Sequence, residues 1–289
     1  MLAHELRSPN AQCWEARLDL RFERRPGTND TTVLASCRHF GPLRVQKALH
    51  PEGPGICHAI VLHPPSGIVG GDRLDIVIDV GDGARALLTT PGAGKWYRSM
   101  GALAEQRLHL KVGSGATAEW LPQETIVFSG AQARIVSHVE LAAEARFLGW
   151  EVLCLGRRAC GEGFSRGALR LANCVTREGR PLWLERGRID GGSPLLDSPI
   201  GLAGFSVCGT LLATGDIDPS LLAGCRRVAA AEAGAHLGIT ALPGPSSMLI
   251  ARYLGHSSEA ARHWFVGLWQ HLRPALLGSP ARTPRIWRT

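Results

Sequence analysis

Short runs that are apolar at alternate positions recur roughly every ten residues from Trp14 to Ile189, cut apart by Gly, Pro, Asn and Asp. The clearest is 14–23. Trp14, Ala16, Leu18, Leu20 and Phe22 fall on one face, and Arg17, Asp19, Arg21 and Glu23 on the other. That period of two marks a half-buried strand. Leu108, Leu110 and Val112 alternate in the same way with Arg107, His109 and Lys111. Further strands are predicted at 31–40, 43–49, 57–62, 74–80, 117–121, 125–128, 134–141, 147–155, 169–176 and 181–189. Gly113-Ser114-Gly115 and Glu178-Gly179-Arg180 read as hairpin turns. Strands this dense leave no room for crossover helices. The spacing therefore excludes repeated βαβ units and predicts a mainly β protein, with many short strands in packed sheets.

The last third reads differently. An Ala-rich helix is predicted over 221–235, then strands at 237–242 and 248–254 around Pro243-Gly244-Pro245. Ser257 is placed to cap a second helix. Ala261, Trp264, Phe265, Leu268 and Leu272 share one face of it, and Val266 and Trp269 lie on another side. Pro274 and Gly278 are expected to end it. A helix apolar on more than one side is expected to be core, with an exposed partner surface as the alternative. No repeat, linker or composition break divides the chain, so 1–289 is expected to form a single domain.

At 289 residues the chain can bury a core without a disulfide or metal staple. None of its eight cysteines forms a Cys-x-x-Cys pair, and reduced thiols are expected. The N-terminus lacks a continuous apolar segment, so no secretory signal is read and the cytoplasm is the expected compartment. The uncharged stretch 198–215 is too rich in Gly, Ser and Thr for a membrane span. The net charge of +7 comes almost entirely from arginine, without a basic run, so no nucleic-acid partner is expected.

Two stiff turns stand out. His63-Pro64-Pro65-Ser66-Gly67 leads into Gly70-Gly71-Asp72, and Pro91-Gly92-Ala93-Gly94 ends on Lys95; they are expected to bracket a strand pair. The second is not a phosphate loop. Trp96 stands where a magnesium-binding hydroxyl is needed, and Thr89 where the first glycine is needed. Gly163-Phe164-Ser165-Arg166-Gly167 has the spacing of a nucleophile elbow, which makes a hydrolase using Ser165 the alternative reading. That motif needs a strand-to-helix turn, and strand pattern follows it here. The histidines show no His-x-His or His-x-x-x-His spacing, so no tight permanent metal site is expected. Asp72, Glu119, Glu124, Glu151, Glu162 and Glu185 sit in or beside apolar sequence. A buried acid needs a partner or a function. Most are expected to pair with arginines, and some to line a wet internal path.

Several of these stretches together resemble the urease accessory protein D family, also called UreH. They are WEARLDLRF from Trp14, Gly41-Pro42-Leu43, HPPSGIVGGD from His63 and TPGAGKWYRS from Thr90. EWLPQETIVF from Glu119, LGRRACGEGFS from Leu155, WQHLRP from Trp269 and PRIW from Pro284 complete the set. Ser66 departs from the family pattern, which has glycine there. The resemblance implies a β-helix- or sandwich-like β body with about two α-helices near the C-terminus, and no enzymatic activity. It implies a nickel metallochaperone scaffold that joins accessory proteins F and G in a GTP-dependent complex. That complex docks on apo-urease and delivers nickel through an internal polar channel. No cofactor is then permanently bound, and nickel passes transiently. Asp72 carries over from the family's Gly-Gly-Asp as a channel residue, with His63, Lys95 and Ser99 in the same turn motifs. Glu185 joins the nickel path on the strength of its apolar flanks. Trp264, Trp269, Arg285 and Trp287, at the matched C-terminal end, are the expected partner-binding residues.

Overall fold

The computed structural model describes residues 13–288 except 26, 28, 29, 243, 245 and 246. In chain order its strands are β1 (Glu15–Arg24), β2 (Thr32–Phe40), β3 (Arg44–Val45), β4 (Cys57–Leu62), β5 (Arg73–Val80) and β6 (Arg85–Thr89). Then come β7 (Gly94–Trp96), β8 (Ala104–Val112), β9 (Thr117–Leu121), β10 (Thr125–Val127), β11 (Gln132–Leu141) and β12 (Arg146–Arg157). The last are β13 (Glu162–Gly163), β14 (Ala168–Arg177), β15 (Arg180–Asp190), β16 (Val207–Thr214), β17 (His236–Leu242) and β18 (Met248–Gly255). Among the described residues two α-helices, α1 (Pro219–Arg226) and α2 (Ser258–Leu277), lie toward the C-terminus.

The strands form two sheets, and the chain winds between them. One sheet has the order β15-β14-β11-β8-β5-β1-β2; the other runs β17-β18-β16-β12-β9-β6-β4-β3. In the first, β1, β5, β8, β11 and β14 are successively parallel. In the second, β4, β6, β9 and β12 are successively parallel. The path β4 to β5 to β6, and later β8 to β9, β11, β12 and β14, steps from sheet to sheet in a solenoid-like stack. Antiparallel strands close it: β2 on β1, β15 on β14, and β16, β18 and β17 in series on β12.

This winding corrects two expectations. Gly113-Ser114-Gly115 makes no hairpin but carries the chain from β8 in one sheet to β9 in the other. The two stiff turns likewise do not bracket a strand pair, because β5 and β6 belong to different sheets. Alternation fixes which face of a strand is buried and says nothing about its partner. The turn between β14 and β15 is a true hairpin. Glu178 and Gly179 both have positive φ, 49° and 74°, as the twist of a two-residue connection requires. The strand expected over 43–49 shrinks to β3 and an isolated bridge from Leu49 to His58.

Alternation along β12 shows the layering. Phe147, Leu153 and Leu155 join the core between the sheets, whereas Leu148, Trp150 and Val152 join a second core against α2. The second sheet is thus covered on both faces, which is why its strands read as nearly continuous apolar runs. The first sheet buries one face and leaves the other to solvent.

Both helices depart from their predicted bounds. Asp218 caps α1 by accepting from the Leu221 amide, and the helix stops at Arg226. The Ala-rich continuation to 235 is not helical. It turns onto α2 instead, where the Val228 carbonyl receives the Trp264 indole. Ser257 caps α2 as expected, but Pro274 lies inside the helix, which ends at Gly278 with φ 65°. A proline so near the end removes little of the hydrogen-bond ladder, and Arg85 caps the Leu277 carbonyl from outside. Among the described residues no helix is long and apolar enough to cross a membrane.

The 63–72 turn is tight by sequence. A Cβ on Gly67 would lie 1.9 Å from the Tyr97 ring, and Gly71 has φ 99°. Ser66 has φ 58°, a region that favours glycine. The Ser66→Gly variant should therefore be more stable by about 1 kcal/mol, the relief of strain less glycine's entropy cost. Chemical denaturation of the two proteins side by side measures it.

Candidate functional site

The two stiff turns meet in space. The Ile68 amide donates to the Lys95 carbonyl at 2.8 Å, and the Tyr97 amide to the Ile68 carbonyl at 2.9 Å. Their junction borders a cavity of about 450 Å³ between the sheets. Ile76, Leu108, Ile135 and Val139 form one apolar wall, and Trp120, Phe147 and Leu212 the other. Polar side chains interrupt both walls: His63, Lys95, Gln106, Ser137, Glu151, Asn173, Glu185 and Thr210.

Their positions explain how an apolar strand pattern makes a polar cavity. Gln106 follows the inward Ala104 by two places, Ser137 lies between Ile135 and Val139, and Asn173 between Leu171 and Val175. Each breaks the apolar alternation at an inward position. Glu151 does so on β12, between Gly149 and Leu153, and stands opposite Thr210 of β16.

The acids here are unequally compensated. Arg252 holds Glu185 at 2.6 Å and donates to the Thr210 hydroxyl at 2.7 Å. The Asn173 amide reaches Glu185 at 3.4 Å. Glu151 has no ion pair among the described residues. Burial, and then the charge of Glu185, push its carboxyl up to about 7, although Asn173 and Arg252 favour the ionised form. Toward the turns, His63 Nε2 is buried without a hydrogen-bond partner among the described residues. Burial pushes this imidazole down, against the opposing charge of Asp72. The cavity therefore offers an unpaired acid near neutrality, a paired acid and a free imidazole nitrogen. These are exchangeable oxygen and nitrogen donors for a borderline divalent ion, without a closed cage.

The predicted site residues divide. His63, Lys95 and Glu185 line the cavity. Asp72 does not. It is 3% exposed, and its two carboxylate oxygens accept from the Trp14 and Val69 amides, each at 2.9 Å. Ser99 spans its own turn, donating to the Ala102 carbonyl and accepting from the Gly101 amide. Both side chains fasten backbone groups that a tight turn leaves unpaired. Trp264 and Trp269 are 1% and 0% exposed, with indoles donating to the Val228 carbonyl and to Glu119. Their rings are core and give a partner no access, which corrects that part of the partner-binding set. Trp287 is half-buried, donates to the Thr89 hydroxyl at 2.7 Å and packs near Trp150 and Trp269. Arg285 is exposed. Ser165 lies between two strands, and its hydroxyl meets that of Ser129 at 3.0 Å. The strand-to-helix turn of a nucleophile elbow is not formed there.

The expected acid–arginine pairing holds for Glu119 with Arg273, Glu162 with Arg157 and Glu185 with Arg252. Asp72, Glu124 and Glu151 have no arginine ion pair among the described residues, and of these three Glu151 alone lines the cavity. Sequence reasoning reaches it as one buried acid among six. It does not single out Gln106, Ser137 or Asn173, whose signal is a polar residue at an inward register.

The family profile described as UreD urease accessory protein matches residues 15–288. A urease accessory protein UreD of Dechloromonas aromatica is 58% identical over 280 residues, covering 96% of this chain and 95% of that protein. Proteins of the same name from Azoarcus sp. and Nitrosococcus oceani are 54% and 49% identical; each alignment covers 96% of this chain, with 94% and 90% of the respective relative. A match of this length and identity makes the chain a member of the UreD family of urease accessory proteins.

Proposed function

We propose that this chain is a nickel-delivery scaffold for urease and catalyses nothing itself. In the cytoplasm it joins accessory proteins F and G in a GTP-dependent complex that docks on apo-urease. Nickel is its cargo and passes through the cavity between the sheets, by way of His63, Glu151 and Glu185. The observation that carries this reading is Glu151, an acid without an ion pair facing a cavity that also holds Glu185. A largely buried acid without an ion pair is costly, whereas one that exchanges a proton for a passing cation has a use. Carboxylate and single imidazole ligands release nickel readily, as transit demands, and a cage of cysteines and histidines would retain it. The Pro91–Lys95 turn cannot cradle a phosphate, which supports placing nucleotide binding in the partner. Arg285 and Trp287 remain as partner contacts in this reading. Removing all of α2 would strip a core and test only folding.

Co-expression of urease with F and G, with and without this chain, tests the proposal through urease nickel content and activity. Nickel loading should require the chain. A Ser137→Phe variant, which fills the cavity from β11, should still co-purify with its partners yet leave urease nickel-poor. Full loading without the chain would refute the delivery role, and full loading with Ser137→Phe would refute the cavity route.

A further inference from the structure

The solvent face of the first sheet carries a cluster that transit through the cavity does not use. In the parallel ladder of β8 and β11, His109 lies directly opposite His138. Their rings stack at 5.4 Å with planes 6° apart. Glu140, two residues beyond His138 on the same face, directs one carboxylate oxygen at both rings. It is 3.0 Å from His109 Nε2 and 3.4 Å from His138 Nδ1. All three side chains are about half exposed, at 47%, 41% and 40%.

The geometry points to a solvent-facing binding site for a borderline divalent transition ion, of the nickel and zinc class, held by His109, His138 and Glu140. One donor atom from each residue lies within 4.8 Å of the others. An ion bound to such donors at about 2.0–2.2 Å needs them roughly 3.0–3.4 Å apart. The two carboxylate–imidazole separations already meet that, and a small rotation of the exposed rings brings the third into range. Two imidazoles and one carboxylate favour nickel, zinc or copper over magnesium or calcium, which prefer all-oxygen shells. Solvent supplies the remaining ligands, so exchange stays open. The ladder register fixes the pair: residues 29 positions apart in sequence become neighbours only because β8 and β11 are parallel. The cavity lies on the other side of the same strands, lined by Leu108, Ser137 and Val139, the sequence neighbours of these histidines. The surface site is thus separate from the cavity and does not depend on the transit reading.

Equilibrium dialysis of the full chain, produced without a polyhistidine tag, against nickel chloride and separately zinc chloride tests it. Magnesium chloride serves as the control. The wild type should take up one surface equivalent of nickel or zinc and none of magnesium. In the His109→Ala/His138→Ala double variant that equivalent should be lost, or bind about tenfold or more weakly. It should survive in Glu151→Gln/Glu185→Gln. Circular dichroism checks that both variants are folded, which the exposure of the histidines favours. Unchanged stoichiometry and affinity in the histidine variant would overturn the site, as would a wild type that takes up neither ion. Loss of the equivalent in the cavity variant alone would overturn it too, by assigning that ion to the cavity.

Discussion

Arg273→Met should destabilise the fold by about 3–5 kcal/mol, the cost of leaving buried charge without its partner. Arg273 is 0% exposed and lies one turn beyond Trp269 on α2. Its Nε and Nη2 donate to Glu119 at 3.0 Å, and Nη2 reaches Glu52 at 2.8 Å. Its Nη1 donates to Glu52 and to the Pro280 carbonyl. Glu119 also accepts from the Trp269 indole at 2.6 Å, and Glu52 receives His58 at 2.7 Å. A single guanidinium thus satisfies two buried carboxylates from different parts of the chain, and it ties α2 to the second sheet. Lysine should not rescue the site, because a point charge cannot reproduce the fork. The acid limb of stability provides a separate reading. Burial alone would raise Glu52, but hydrogen bonds from His58 and Arg273 outweigh it and hold the carboxyl at about 2, against an ordinary value of 4.5. A depressed carboxyl contributes stability that is full above the ordinary value and lost as pH falls toward the folded one. Between pH 4.5 and 2 the wild type should therefore lose stability through Glu52, and Arg273→Met should lose less of it. Burial raises Glu119, so its contribution runs with the opposite sign. Urea unfolding across this pH range measures both effects.

Much of this architecture is legible in the sequence. Ala16, Leu18, Leu20 and Phe22 are buried as their alternation requires, and Glu178-Gly179 forms the hairpin that its residue types demand. The partners of the strands are not legible. A Gly-Ser-Gly turn serves a hairpin or a step between sheets equally well, and only packing of the whole chain chooses the solenoid-like winding. The site shows the same division. The family resemblance makes Asp72 a channel residue, yet its tight glycine turn is why the Trp14 and Val69 amides claim its oxygens. Trp264 and Trp269 are expected as partner contacts from the matched C-terminal end, yet α2 is apolar on more than one side, as a core helix is, and the second sheet covers them. Glu151 becomes distinct only when the arginines are placed, since Arg252 answers Glu185 and leaves Glu151 without an ion pair. The surface histidines are invisible to spacing rules because their proximity comes from strand register, not from sequence separation.

Glu151→Gln should make the protein more stable at pH 8, by about 1–3 kcal/mol, while lowering the nickel content of co-expressed urease several-fold. The sign follows from the raised carboxyl. Above pH 7 the wild type holds an ionised acid in a site that disfavours the charge, with an ordinary value of 4.5 against about 7 when folded. A raised carboxyl costs the folded state nothing below 4.5, progressively more between 4.5 and 7, and its full amount above. The shift alone corresponds to about 3 kcal/mol, and the partial exposure of Glu151 makes that an upper bound. Glutamine keeps the size of the side chain and its ability to hydrogen-bond to Asn173, and it removes only the charge. Its advantage should therefore vanish as pH falls through 7 to 4.5, which denaturation at pH 4, 6 and 8 would reveal. A gain independent of pH would mean that packing, not charge, limits this position. Unchanged nickel loading in a stabilised variant would remove Glu151 from the delivery path. A chain selected only to fold has no reason to keep an acid that glutamine would improve upon. Keeping one where two sheets enclose a cavity, beside a second acid already neutralised by arginine, makes sense if the charge is needed when a cation arrives.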